Sequence, residues 1–340
     1  MASDAPKLSP ARILQISWGY APPLILEAAI TLGFLDLLDA GPLPIEEVAT
    51  RTGCSVRGAR AILNALVGFQ FLTRGDDDRF ALTEEASTFL VRGKPTFYGG
   101  FLLHTSRQAL PNWMQLKDAV RTGRPPTAAN QQETGEAFFQ EFVADLLTLN
   151  FRAAEVLASA VLPVPPDRPF RVLDIAAGSG VWSLGFVRRS PLVEATALDW
   201  EGVLDITRAT AERFGVTSQY RFVPGDLRTA AFGEDFDAVI LGHILHSEGA
   251  AGSRELLTKA FAALRPGGTV VIAEFNPDDD RRGPLLPLLF AVNMLVNTDM
   301  GDTFTVAELR TWLEAAGFAD VRAVEAPAPS PLLLARRPMG

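Results

Sequence analysis

From residue 171 onward, short runs of branched aliphatic residues alternate with helical patterns, and this alternation constrains the chain more than any other feature. Runs at Arg171–Ile175, Glu194–Leu198, Tyr220–Val223, Ala238–Leu241 and Thr269–Glu274 are separated by helical spacing at Val181–Arg189, Leu204–Phe214 and Arg254–Leu264. Helical crossovers leave successive strands parallel and cover both faces of the sheet. The expectation is an open α/β sheet whose ligand crevice lies at the carboxyl ends of its strands. After a helix at Thr305–Ala316 come two more runs, Val321–Ala326 and Leu332–Arg336, joined by the proline-rich segment 327–331. With no helix between them, these two should close a seven-stranded, Rossmann-like sheet as an antiparallel hairpin.

The first half reads differently. Residues 11–40 carry apolar side chains at helical spacing, among them Ile13, Leu14, Ile16 and Trp18, and, after Pro22-Pro23, Leu24, Ile25, Ala28, Leu32 and Leu35. Helices are expected at Pro44–Thr52 and Val56–Phe69, then two strands, Phe71–Thr73 and Arg79–Leu82, around an acidic turn. Helices followed by a two-stranded wing follow the order of a winged helix-turn-helix. A DNA-binding role fits poorly: the presumed recognition helix offers only Arg57 and Arg60 before an apolar face, and the wing tip holds Asp76, Asp77 and Asp78. A dimerisation module fits better, because helices 11–40 carry more apolar surface than a small domain can bury on itself. Residues 83–165 look helical, with strong amphipathic spacing over 138–161, and the proline-rich 162–169 reads as a domain boundary.

With 340 residues, 48% of them hydrophobic, the chain suits two domains with sizeable cores. A net charge of −9 argues against a nucleic-acid partner. The single Cys54 excludes an internal disulfide and, with only three histidines, a structural zinc site; a reducing, cytoplasmic setting is expected. The longest apolar run, Leu285–Val296, is broken by Pro287 and falls short of the roughly 20 residues a bilayer span needs. No membrane partner is expected.

The candidate chemistry sits at the strand ends. The first strand enters Val172-Leu173-Asp174-Ile175-Ala176-Ala177-Gly178-Ser179-Gly180, where small residues let a ligand approach the backbone. Asp174 precedes the glycines, and Ser183 stands where a dinucleotide fingerprint requires its third glycine. An acid at this place suits a cationic ligand without phosphates, such as S-adenosylmethionine. Asp199, followed by Trp200, ends the second strand, where a carboxylate can accept from ribose hydroxyls; Asp226, followed by Leu227, follows the third and could accept from an adenine amino group. Each alone could be a helix cap or turn aspartate, but three acids at three successive strand ends are poorly explained that way. Trp200, Leu227 and Gly242, at the end of strand four, complete the cofactor set.

Strand four continues into Gly242-His243-Ile244-Leu245-His246-Ser247, and strand five delivers Glu274. His246 suits a general base, with Glu274 orienting the imidazole. A metal pair is the competing reading, but no third ligand is evident nearby in sequence. His243, three residues back along an extended strand, is expected to point to the opposite face.

These residues resemble the class I methyltransferases of the plant caffeic acid and hydroxyindole O-methyltransferase type, in the bacterial small-molecule branch. The similarity covers nearly the whole chain. It implies a winged-helix dimerisation domain over residues 1–110, a helical linker over 111–165 that contributes to the acceptor pocket, and a cofactor-binding domain over 166–340. It also implies S-adenosylmethionine bound by Asp174, Ala176, Gly178, Gly180, Asp199 and Asp226-Leu227, a base at His246, a helper acid at Glu274, and an acceptor pocket lined by Met294 and Asn297. Two departures stand out: Ser247 replaces the aspartate after the base, and the second helper glutamate falls near Thr303. The expected reaction is methyl transfer to a hydroxyl of a small hydrophobic acceptor by a homodimer. Carbon methylation and a non-catalytic, ligand-sensing regulator are the alternatives.

Overall fold

The computed structural model describes residues 8–140, 142–162, 166–327 and 331–339. The chain forms two compact units that divide between Ala109 and Leu110. Residues 163–165 and 328–330, within the expected boundary and the expected hairpin connection, lie outside the described residues, as do the first seven.

The first unit runs α1 (Ala11–Ser17), α2 (Ala21–Thr31), α3 (Phe34–Leu38), β1 (Leu43–Pro44), α4 (Ile45–Thr52), α5 (Val56–Gly68), β2 (Leu72–Arg74), β3 (Arg79–Leu82), α6 (Glu84–Phe89) and α7 (Gly99–His104). β3 pairs antiparallel with β1 and β2 in a small wing. Ser55 caps α5 by accepting from the Gly58 amide, and the i, i+4, i+7 stripe Ala59, Leu63 and Leu66 is fully buried against Leu35, Val48 and Phe80. That spends the face a DNA reader would need. Arg57, Arg60 and the three wing aspartates are exposed. α1 buries none of its residues: Ile13, Leu14 and Ile16 all face outward.

The second unit begins with α8 (Leu110–Trp113), α9 (Leu116–Thr122), α10 (Gln132–Gln140) and α11 (Leu146–Val161), then enters the sheet. Its strands are β4 (Phe170–Ile175), β5 (Val193–Asp199), β6 (Tyr220–Pro224), β7 (Phe236–Gly242), β8 (Leu264–Ala273), β9 (Ala319–Val324) and β10 (Leu332–Arg336). They lie in the order β6-β5-β4-β7-β8-β10-β9. The first five are parallel, and β10 runs antiparallel to both β8 and β9, as the unbroken pair of runs implies. The accompanying helices are α12 (Val181–Val187), α13 (Glu201–Arg213), α14 (Leu245–Ala263), α15 (Leu285–Asn297) and α16 (Val306–Ala315).

Strand alternation sends neighbouring side chains into two separate cores. Leu173, Val239 and Ile272 pack against Leu257 of α14 and Leu313 of α16. Val172, Ile240 and Val271 pack against Leu157 of α11 and Leu184 of α12.

Two boundaries differ from the sequence reading. The residues between the helical run ending at Leu264 and the strand run starting at Thr269 are drawn into β8, where Leu264 pairs with Phe236 and the register shifts before Ala238. The fourth strand stops at Gly242: His243 takes a left-handed φ of 57°, and α14 begins at Leu245, with a break at Gly249. His246 therefore stands in the first turn of a helix, and the alternation rule for an extended strand does not apply to the two histidines.

At the amino end of the sheet, the buried Asp237 of β7 accepts from the Arg168 and Arg265 guanidinium groups and from the Arg171 amide at 2.8 Å. Burial alone would raise its carboxyl, but the arginine and backbone hydrogen bonds outweigh it and hold it below the usual carboxylate range. Asp237→Asn should therefore cost about 2–3 kcal/mol at pH 7. Because the folded-state value is depressed, the contribution is present above the ordinary range and fades as pH falls below about 4. Urea titrations should show the gap between wild type and variant narrowing in acid; a gap independent of pH would contradict this origin.

Candidate active site

A cavity of about 930 Å3, including space open to solvent, lies at the carboxyl ends of β4, β5 and β7. Its floor is the loop after β4. Ala176, Gly178 and Gly180 have φ of 54°, 57° and 72°, so the chain turns tightly there and presents backbone. A side chain at Gly180 would meet Thr207 Cγ2 at 2.7 Å, and one at Gly242 would run into the Trp182 indole. These positions need glycine for space, and Gly180 for conformation as well.

Asp174 is not on the cavity wall but buried behind it. Its Oδ2 accepts from the Ser183 amide at 3.1 Å and the Ser183 hydroxyl at 2.6 Å, while its buried Oδ1 has no partner among the described residues. Burial pushes its carboxyl up to about 7, against the pull of the two serine hydrogen bonds. Asp199 does line the cavity. Its two oxygens accept from the Gly178 and Trp200 amides, each at 2.8 Å, and burial again dominates, raising it to about 6. The Gly178 bond ties the loop after β4 to the end of β5. Trp200, Asp226 and Leu227 also line the wall, with Asp226 Oδ1 accepting from the Arg228 amide.

The second half of the site comes from β7 and β8. His246 lies on the wall, and Glu274 sits behind it, 4% exposed. Glu274 Oε2 is 2.6 Å from His246 Nδ1, and Oε1 accepts from the His246 amide at 3.2 Å. A carboxylate can only accept, so Nδ1 carries the proton and a neutral ring keeps its Nε2 lone pair free. Burial would raise Glu274, but the adjacent His246 imidazole and its hydrogen bonds outweigh it and hold the carboxyl low. The His246 ring stands edge-on to Phe290, with centroids 4.9 Å apart.

His243 is where the structure departs most from the sequence reading. It lines the same cavity, 6.2 Å from His246 between ring centroids, and not the opposite face. Donor atoms of His243, His246 and Glu274 all lie within 4.8 Å of one another, so the carboxylate that a metal pair would require is present after all. It is Glu274, from the neighbouring strand, the same acid expected to orient His246. Its oxygens are engaged by His246, however, and an ion there would have to break those hydrogen bonds.

Met294 and Asn297 are buried and stand off the cavity wall. The Asn297 amide donates to the Asn293 carbonyl at 2.9 Å and accepts from Asn112 at 2.7 Å. Thr303 is buried with its hydroxyl unpaired among the described residues, and the adjacent Asp302 amide donates to the His246 carbonyl at 2.9 Å.

Several wall residues were not singled out from sequence: Asn130, Phe139, Val143, Asn150, Trp182 and Arg228. Asn150 is 1% exposed with Oδ1 unpartnered, on the apolar stripe of α11. An amide at a core position of an amphipathic helix was the available signal. Arg228 donates to both oxygens of Glu248 and to the Asn130 carbonyl, closing one side of the cavity.

The donor set fits S-adenosylmethionine. Two buried acceptor oxygens without donors and two aspartates near neutrality await a ligand that is cationic and rich in hydroxyl and amino donors.

Comparison with known proteins agrees. An O-methyltransferase domain model matches residues 113–319, and an O-methyltransferase dimerisation domain model matches 14–92. The chain is 32% identical over 333 residues to a tetracenomycin polyketide synthesis 8-O-methyl transferase of Streptomyces glaucescens, covering 97% of each chain. It is 31% identical to the 3-hydroxy-5-methyl-1-naphthoate 3-O-methyltransferase of Streptomyces sahachiroi, over 94% of this chain and 92% of that one. The crystal structure of human N-acetylserotonin methyltransferase in complex with S-adenosylmethionine superimposes with a TM-score of 0.84 at 28% identity, covering 99% of this chain and 100% of that one.

The raised carboxyl of Asp174 gives a test. A carboxylate whose folded-state value is raised costs stability once it ionises, so the cost is full above about pH 7 and relieved in acid. In ligand-free protein, Asp174→Asn should raise the melting temperature more at pH 8 than at pH 5. Equal shifts at the two pH values would contradict a buried charge at this position.

Proposed function

Since the chain belongs to the S-adenosylmethionine-dependent O-methyltransferases, we propose that it methylates a hydroxyl of a small hydrophobic, aromatic acceptor, with His246 as general base. The observation that carries this reading is the His246 imidazole on the cavity wall, its Nδ1 held by Glu274.

The bound cofactor supplies an electrophilic methyl group on a sulfonium. Asp199 would accept from the ribose hydroxyls and Asp226-Leu227 would take the adenine edge, with Trp200 beside them. Ala176, Gly178, Gly180 and Gly242 leave the room the ligand needs, and Asn150 on the wall would receive the cationic end, with the Asp174 carboxyl behind the wall adding its charge from there. His246 Nε2 takes the acceptor's hydroxyl proton, and Glu274 stabilises the imidazolium that results. A phenol, with a pKa near 10, needs only such a modest base. Phe275 and Phe290, 4.2 Å apart between ring centroids beside His246, would face a flat acceptor. The amide chain through Asn112, Asn297 and Asn293, with Met294, would shape the acceptor end from behind the wall.

The names of the two Streptomyces relatives, one an 8-O-methyl transferase of tetracenomycin polyketide synthesis and the other acting on a hydroxynaphthoate, favour a hydroxyl on an aromatic system. They also favour oxygen over carbon as the target. The regulator reading lacks a basic recognition face.

The enzyme works as a homodimer in the cytoplasm in this reading. The exposed Ile13, Leu14, Ile16, Trp18 and Tyr20 supply the apolar patch a partner would cover, and no helix among the described residues is long and apolar enough to cross a membrane. Light scattering should report a dimer at micromolar concentration, and a paired Ile13→Asp, Trp18→Glu change should shift it toward monomer. A monomeric wild type would overturn this assignment.

His246→Ala should leave cofactor affinity nearly unchanged while slowing turnover about 10²–10⁴-fold. Glu274→Gln should give a smaller loss of the same kind. Isothermal calorimetry with steady-state kinetics on a phenolic acceptor would separate the two effects. Wild-type turnover by His246→Ala would remove the base assignment.

A further inference from the structure

We propose that Asn130 is a positioning residue for the methyl transfer: its side chain holds the turn that carries His246, and it acts through that base and not on the cofactor or the acceptor. The inference rests on the reading of His246 as general base, and it names the group that keeps the base in place.

The first observation is that this turn stands apart from its helix. Three residues after His246, Gly249 takes φ 68° and ψ 177°, which no α-helix accommodates, so residues 245–248 are set off from the rest of α14. Two carbonyls of the turn accept from outside the helix: that of His246 from the Asp302 amide at 2.9 Å, and that of Ser247 from Asn130 Nδ2 at 3.1 Å. Gly301 passes so close that a side chain there would meet the His246 carbonyl at 2.5 Å. The Asp302 tie is backbone to backbone, whereas Asn130 holds the turn through a side chain that mutation can remove.

Asn130 is itself fixed. It is buried, and its Oδ1 accepts from the Asp299 amide at 3.4 Å while Nδ2 donates to Ser247. Ser247 offers a carbonyl and Asp299 an N–H, so the side-chain amide has a single orientation. Its own carbonyl accepts from Arg228 Nη2 at 2.7 Å, and the same guanidinium donates to both oxygens of Glu248, the last residue of the turn. The preceding Ala129 amide donates to the Asn297 carbonyl at 2.7 Å. Residues 129 and 130 thus brace the base's turn against the loop after β6 and the end of α15.

The position of the turn governs the base because both contacts with Glu274 run through it. The His246 amide and ring Nδ1 meet the two oxygens of that carboxylate, so a shift of the turn loosens both together. Transfer chemistry is steep in geometry: a misplacement of about 1 Å can cost about 10²-fold in rate. A buried asparagine that served stability alone would behave differently. Its loss would slow turnover by the same factor whether or not the base is present.

The test is a double-mutant cycle, following the labelled methyl group of S-adenosylmethionine with 1-naphthol as acceptor. Asn130→Ala should lower kcat about tenfold or more, with S-adenosylhomocysteine affinity and the KM for the naphthol within about twofold of wild type. In a His246→Ala background the same change should have no further effect. Nitrogen-15 NMR of the S-adenosylhomocysteine complex adds a readout without turnover. The His246 ring, protonated at Nδ1 in wild type, should become a mixture of tautomers in Asn130→Ala, while His104 keeps its signals. The proposal is overturned if kcat stays at the wild-type value, if the loss is equal with and without His246, or if it falls on cofactor or acceptor affinity. An unchanged His246 tautomer in the variant also overturns it, and this readout decides alone if 1-naphthol is not methylated. Should Asn130→Ala fail to fold, Asn130→Asp keeps the acceptor for the Asp299 amide, loses the donor to Ser247, and is read in the same way. Wild-type turnover by His246→Ala overturns the base reading and this inference with it. A slow His246→Ala beside a fast Asn130→Ala overturns this inference alone.

Discussion

The site depends on the reversal of strand order at β4. The chain builds outward through β5 and β6 on one side, then returns to lay β7 and β8 on the other. Loops leaving β4 and β7 consequently diverge and open a crevice between them, while parallel pairing keeps every strand end on the same edge. The two halves of the chemistry follow that division. Asp199, on the β5 side, and His246, after β7, line one cavity because β4 separates their strands by a single position.

Charge accounts for much of what lies inside. Asp174 and Asp199 are desolvated carboxylates raised toward neutrality, with only backbone and serine donors to offset burial. Asp237, at the opposite end of the same sheet, is also buried but meets two arginines and is depressed. The contrast separates an acid whose charge is met by arginines from two acids whose burial is offset only by neutral backbone and hydroxyl donors. Glu274 belongs to neither group. In the proposed reaction its partner imidazole gains a proton, and a carboxylate held low by that same imidazole would stabilise the change.

The sheet and three of its acids could be read from sequence because their signals are local: a period of two, a helical crossover, then an aspartate at each strand end. The meeting of Glu274 with His246, expected from their places at neighbouring strand ends, follows from a register of β7 and β8 that sets Gly242 against Ala273. His243 leaves the face that strand alternation predicts because the backbone turns left-handed just past Gly242. Asp174 could be placed at its strand end, but its retreat behind the cavity wall depends on Ser183, in the first turn of α12. Asn150 was hidden by its setting in an apolar stripe.

The account turns on which nitrogen of His246 is free. Nitrogen-15 NMR of histidine-labelled enzyme with S-adenosylhomocysteine bound reads this directly. The account predicts that His246 carries its proton on Nδ1 with Nε2 unprotonated, and that Glu274→Gln disturbs this tautomer. A His246 ring protonated at Nε2, or one indifferent to Glu274→Gln, would contradict it.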